Sequence, residues 1–229
     1  MRDDYEMEND IKILYEDNHL IVAVKPQNIP SQKDPSGDPD ILSLLKSYIK
    51  EKYSKPGEAY IGLIHRLDRP TGGVMVFART SKAASRLSAQ IKNGRFEKRY
   101  LAVLKGSVPE AGTLTDWLKK DRETNTVSIS DENDPAAKKA VLEYSIKEKA
   151  DGLTLADIKL ETGRSHQIRV QFANIGAPIY GDRRYGGGET DADLCLWSYS
   201  LSFDHPTTKE RLSFTSYPPA AYPWSEFNL

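Results

Sequence analysis

Residues 60–78 read Tyr60-Ile61-Gly62-Leu63-Ile64-His65-Arg66-Leu67-Asp68-Arg69-Pro70-Thr71-Gly72-Gly73-Val74-Met75-Val76-Phe77-Ala78. Two apolar runs, 60–64 and 74–78, enclose a nonapeptide that continues neither, because Pro70 lacks a ladder donor and the paired glycines favour a turn. The stretch predicts strand, turn, strand. It places one carboxylate, Asp68, between two guanidinium groups, Arg66 and Arg69, exposed where the first strand ends. Neighbouring positive charge holds such an acid ionised. An ionised carboxylate is a poor general acid and a usable nucleophile or electrostatic stabiliser. The plainer alternative is a turn aspartate with a salt bridge, and the choice depends on the rest of the chain.

Working outward, Thr80 or Ser81 opens a helix with Ala84, Leu87 and Ile91 on one face, stopped at Asn93-Gly94. Upstream, Asp40 caps a helix whose apolar positions Ile41, Leu44, Leu45, Tyr48 and Ile49 keep helical spacing, ending near Lys55-Pro56-Gly57. Residues 26–39 form a long Pro/Ser/Gly/Asp loop. Before it, residues 11–16 and 19–25 alternate as a hairpin about Asp17-Asn18. Downstream of the second helix come strands at 100–104, 113–118, 126–130, 141–147 and 153–160, a helix over 165–173 ended by Gly176, and a final hairpin from 194–204 and 210–216. Strands outnumber helices without the regular alternation of a parallel sheet. The expectation is an α+β fold, a mixed and largely antiparallel sheet core with flanking helices on one side.

Composition narrows the function. With 229 residues, 38% hydrophobic and 28% charged, the chain suits one domain over residues 11–229 after an acidic tail, residues 1–10. No run is apolar enough to span a bilayer, and no signal-peptide pattern opens the sequence. The lone Cys195 sits in an apolar run and reads as a buried thiol. His19, His65, His166 and His205 are too scattered for a zinc spacing, so no metal is expected. These features suit a reducing cytoplasm. The net charge of −1 does not announce a nucleic-acid binder. Two basic clusters do suggest phosphate contacts: Lys92, Arg95, Lys98 and Arg99, and then Arg183 with Arg184.

A second motif, Gly163-Arg164-Ser165-His166-Gln167-Ile168-Arg169, follows a strand end at Thr162-Gly163 and opens a short helix. Its first N–H groups suit an anion. Ile168, Phe172 and Ile175 give the helix an apolar face, while His166 and Arg169 share a polar one. Arg169 is thereby aimed, from a packed element, at a carboxylate. His166 reads equally as a hydrogen-bonded structural residue and as a substrate contact.

These segments resemble the signatures of the RluA family of RNA pseudouridine synthases: His65-Arg66-Leu67-Asp68 with Thr71 and Gly73, Lys98-Arg99-Tyr100, the motif 163–169, and Pro178-Ile179 with Gly181-Asp182. The likeness runs from about residue 12 to the C-terminus, in the family's order. It departs at Gly72, where the family usually has Ser, and at Gln171, where it often has His. The resemblance implies Asp68 as the catalytic residue, Tyr100 as the active-site tyrosine and Arg169 as the partner of the aspartate. It implies Arg66 as the side chain that fills the space left by an extruded nucleotide. His65, Arg69, Thr71, Lys98, Arg164 and His166 are expected to contact substrate. The implied reaction is isomerisation of a uridine in structured rRNA or tRNA by a monomer, with no cofactor. Some family members carry an N-terminal S4-type domain, for which the residues before the first strand are too few.

Two other classes stay open at this point. A non-catalytic RNA-binding protein of the same fold has no use for Asp68, Tyr100 and Arg169 together. A nucleoside hydrolase would want a second carboxylate beside Asp68. Glu161 and Asp182 are available, but read better as strand-end and turn residues.

Overall fold

A computed structural model describes residues 11–54, 56–188 and 191–229; the acidic tail at 1–10 lies outside them. Three helices pack on an 11-stranded sheet. The strands are β1 (Ile13–Glu16), β2 (Leu20–Lys25), β3 (Gly62–Leu63), β4 (Gly72–Ala78), β5 (Glu97–Lys105), β6 (Ala111–Lys120), β7 (Val127–Ser130), β8 (Lys138–Ala150), β9 (Leu153–Leu160), β10 (Leu196–Asp204) and β11 (Arg211–Thr215). The helices are α1 (Ile41–Lys52), α2 (Ser81–Lys92) and α3 (Gln167–Asn174), with a 3-10 turn at Trp224–Glu226 that the sequence did not announce. The main path runs β1-β2-β4-β10-β5-β9-β8-β6-β7, with β11 on β10 and β3 on β4.

Every pairing is antiparallel except β4 with β10. That junction explains the paired glycines. A Cβ on Gly72 would fall 2.2 Å from Cζ3 of Trp197, and one on Gly73 would fall 2.2 Å from the Ser198 carbonyl oxygen. Gly73 also has φ +123°, which an L side chain resists. Here Gly72, the departure from the usual Ser, makes room for the Trp197 ring.

Period-2 alternation distributes the core over both faces of the sheet. Ile21, Ala23, Met75 and Phe77 pack with Ile41, Leu45 and Ile49 of α1 and with Ile168 and Phe172 of α3. Leu20, Val22, Val74 and Val76 face the other way, against Leu87 of α2. The helices therefore lie on both faces and not on one. Burial on both sides is why β2 and β4 read as continuous apolar runs.

Both expected caps form: Asp40 accepts from the Ser43 N–H at 3.0 Å and Thr80 from the Ala83 N–H at 3.1 Å. The first apolar run yields only the two residues of β3, paired to Ala78 and Phe77, before the chain leaves the sheet. Residues 64–69 are irregular, so Asp68 does not stand at a strand end.

Candidate active site

Irregular backbone holds a side chain in place only if other groups pin it, and residues 65–70 are pinned from three directions. Ser31 Oγ donates to the Leu67 carbonyl at 2.7 Å and accepts from the Leu67 N–H at 3.1 Å. Gln27 Nε2 donates to the Pro70 and Leu194 carbonyls. The fully buried Lys25 directs Nζ to the carbonyls of Pro26, Ile29 and Arg69, three acceptors for three protons. Burial pulls its pKa down to about 7, with the nearby Asp68 opposing the shift. His65 Nε2 accepts from the Val76 N–H at 3.2 Å, so its proton sits on Nδ1. Burial lowers the His65 pKa to about 3, with the Lys98 charge adding to the effect, and the ring is neutral. The Thr71 N–H closes the turn onto the Asp68 carbonyl at 2.9 Å.

Asp68 thus stands in a cleft of about 1180 Å³, its side chain 30% exposed. The groups facing it come from α3 and the residue just before it, not from its own segment. Arg169 Nη1 lies 3.7 Å and His166 Nε2 3.9 Å from Asp68 Oδ2. Arg66 is exposed on the cleft wall, and Arg69 turns away to Asp38, Asp34 and Ser36 in the 26–39 loop. Adjacent residues point apart, so the arginines flanking Asp68 in sequence are not its partners.

Arg169 is nearly buried, and its Nε and Nη2 form a forked pair with Asp182 at 2.8 and 2.7 Å. Asp182 Oδ1 also accepts from the Arg184 and Tyr185 N–H groups. Burial alone would raise the Asp182 pKa; the guanidinium and these N–H groups outweigh it and hold the carboxyl below its usual range. The pairing expected with Asp68 is therefore made with Asp182, leaving one arm of Arg169 near Asp68. Sequence reading set Asp182 aside as a turn residue; the structure makes it the forked partner of Arg169.

His166 adopts the left-handed conformation, φ 51°, just before α3. Its ring turns into the cleft instead of capping the helix. Gln167 instead ties down the preceding turn: its Oε1 accepts from the Thr162 hydroxyl at 2.8 Å and the Arg164 N–H at 3.0 Å. Burial lowers the His166 pKa, Asp68 opposes that, and Arg169, Arg184 and Lys120 reinforce it.

β5 supplies Tyr100 and Lys98 from one face of the strand, two residues apart. Burial, then the Asp68 charge, raises the Tyr100 pKa, with a hydrogen bond to Ser198 opposing; the phenol stays protonated. Burial lowers the Lys98 pKa against the attraction of Glu161. The alternate residue Arg99 points away and pairs with Asp157 at 2.9 Å. Of the first basic cluster, only Lys98 lines the cleft.

Arg164 lines the cleft with its Nε on the Lys139 carbonyl, and Arg184 ties the β6–β7 turn to it through the Thr124 and Asn125 carbonyls. Thr71 does not reach the cleft: it is 2% exposed and its hydroxyl has no hydrogen-bond partner among the described residues, so its service is to the turn. Gln171 is likewise buried, donating to Asp116 at 2.7 Å, away from the site. Among the described residues, nine Lys or Arg line the cleft against three Asp, in a chain whose net charge is −1. Positive charge is concentrated where Asp68 sits.

The RNA pseudouridylate synthase family model matches residues 19–174, which include Asp68, Tyr100 and Arg169. An uncharacterized RNA pseudouridine synthase of Bacillus subtilis, YjbO, is 36% identical over 213 residues, covering 89% of this chain and 71% of that protein. The ribosomal large subunit pseudouridine synthase D of Xylella fastidiosa is 34% identical over 196 residues, 81% of this chain; the match spans 56% of that protein's length. Among solved structures, human RNA pseudouridylate synthase domain containing 4 shares the fold, with a TM-score of 0.76 at 22% identity, over 91% of this chain and 88% of that one. This chain belongs to the RNA pseudouridylate synthase family, in its RluA branch, and with it to the isomerases that turn uridine in RNA into pseudouridine.

Proposed function

We propose that residues 11–229 act as one catalytic domain, a cytoplasmic monomer that isomerises a uridine in an rRNA or tRNA stem-loop, with Asp68 as its catalytic group. The observation that carries this reading is a part-exposed carboxylate without a hydrogen bond from any described residue, faced by Arg169 and His166 in a cation-lined cleft. An anionic polymer enters such a cleft readily, and a site larger than a small-molecule pocket suits several nucleotides.

The reaction breaks N1–C1′, turns the base and joins C5 to C1′, expelling the C5 hydrogen as a proton. Nothing is oxidised, so the cycle closes without a cofactor. The base must leave its stack, at a cost of a few kcal/mol. Arg66, exposed beside Asp68, is the side chain able to fill the gap. Tyr100 supplies a flat ring and, being protonated, a hydroxyl that hydrogen-bonds and does not act as a phenolate base. The deciding experiment is tritium release from RNA labelled at uridine C5, using RNA from cells lacking the protein. Release with pseudouridine in the product supports isomerisation; free uracil would identify a hydrolase, and binding with neither a passive RNA binder.

Lys98 allows a test in which two effects have opposite signs. Its ammonium is buried and forms no ion pair with a described carboxylate, Glu161 attracting it only at longer range, a cost to the folded state. Lys98→Met is expected to leave thermal stability unchanged or raise it. The same change should weaken RNA binding and reduce the slope of log affinity against log salt by about 1. Loss of stability with an unaltered salt slope would remove Lys98 from the RNA contacts.

A further inference from the structure

Tyr185 belongs to no motif singled out in the sequence, yet it touches both groups that face Asp68. Its oxygen lies 2.9 Å from the Val127 backbone nitrogen and 2.7 Å from His166 Nδ1. Its ring lies under the Arg169 guanidinium, 5.1 Å from centroid to Cζ.

The hydrogen-bond inventory of these atoms assigns the protons. A backbone N–H only donates, so the Tyr185 oxygen accepts from Val127. The phenol has one proton, and the atom at 2.7 Å that can take it is His166 Nδ1. Nδ1 is then an acceptor, and the proton of the neutral ring sits on Nε2, the atom 3.9 Å from Asp68 Oδ2. An imidazolium would need Nδ1 to donate, forcing the phenol proton to find another acceptor. Other charged groups facing His166 are Arg169 on α3, Arg184 on the following loop and Lys120 on β6, all cations that also oppose a second proton, while Asp68 favours it.

We propose that Tyr185 is a positioning residue of the active site, which fixes His166 as its Nε2–H tautomer so that Asp68 Oδ2 faces two donors, His166 and Arg169, while Oδ1 is left to the RNA. The significance for catalysis rests on Asp68 being the catalytic group, as proposed above; the tautomer does not. The left-handed backbone of His166 belongs to the same device, since it aims the ring between Tyr185 and Asp68.

The test is nitrogen-15 NMR of the RNA-free full chain with labelled histidine, His166 being assigned by its loss in His166→Gln. At pH 7 the wild type is expected to show Nδ1 unprotonated and Nε2 protonated. His65, whose Nε2 accepts from Val76, should show the opposite tautomer in the same spectrum. Tyr185→Phe keeps the ring under Arg169 and removes only the hydroxyl. It should let His166 titrate at higher pH, move the acidic limb of the kcat profile with it, and lower kcat on the order of 10-fold with RNA affinity within about twofold. His166→Gln, which retains an N–H donor, should keep more turnover than His166→Leu.

An imidazolium or an Nδ1–H ring in the wild type at pH 7 overturns the proposal even if Tyr185→Phe does not fold. So does a Tyr185→Phe enzyme with wild-type kcat and an unmoved pH profile. Absence of tritium release from the wild type would instead overturn the function proposed for Asp68 and leave the tautomer standing.

Discussion

Asp68→Asn is expected to reduce C5 tritium release by about 10^4-fold or more while RNA binds at least as tightly as to the wild type. The two halves have one cause. Asparagine keeps the shape of the side chain, so Arg169 and His166 stay where they are, but it neither adds to a substrate nor takes a proton. It also removes one of three carboxylates from a cleft lined by nine cations, which makes the cleft more attractive to a polyanion. A protein that only bound RNA through this cleft would show no chemical signal to lose. One in which Asp68 were a turn residue with a structural salt bridge would lose stability instead. The measurement is therefore tritium release and filter-binding affinity on the same preparation, with thermal unfolding alongside. Retained release above a hundredth of the wild-type rate would rule Asp68 out as the catalytic group.

The residues along the cleft show where sequence reading stops. Asp40 and Thr80 were legible as caps because a cap and the helix it opens are neighbours in the chain. β2 and β4 were legible as strands, but burial on both faces hid the fact that α2 takes the face opposite α1 and α3. The parallel junction of β4 with β10 joins positions more than a hundred residues apart and has no local pattern, although the paired glycines were its trace. The three residues proposed for catalysis entered through motif resemblance, and the structure brings Asp68, Tyr100 and Arg169 to one cleft. Their support did not enter. Lys25 and Tyr185 act through partners 44 and 19 residues away, and a lone Lys or Tyr carries no mark of burial; Asp182 stood in a quoted motif, but its fork with Arg169, 13 residues back, could not be read from it. The pairing of Arg69 with Asp68 failed for the converse reason: nearness in sequence suggested it, whereas the 26–39 loop offered Arg69 Asp38.

Asp182 carries the largest structural effect. Its side chain is fully buried, and among the described residues the next ion-pair partner of Arg169, itself 7% exposed, is Asp68 at 3.7 Å. Asp182→Ala leaves a guanidinium in the interior without its fork, a loss of about 3–5 kcal/mol. Turnover should fall further than that loss explains. Freed from Asp182, Arg169 needs to close only part of its 3.7 Å separation to pair with Asp68 and occupy the oxygen it now merely faces. The pH dependence has a definite sign. The folded carboxyl of Asp182 lies below its unfolded value of about 3.9, so the pair stabilises the fold above that value and the contribution is lost as pH falls through the lowered folded pKa. Urea unfolding of the wild type between pH 6 and the acid limit should therefore decline more steeply below about pH 4 than that of Asp182→Asn. Equal slopes would mean that the pair contributes nothing. A second comparison separates stability from catalysis: Asp182→Leu with Arg169→Met replaces both charges by apolar groups and should recover much of the stability lost in Asp182→Ala. It should recover no tritium release, because the cation that Asp182 holds in place beside Asp68 is then gone.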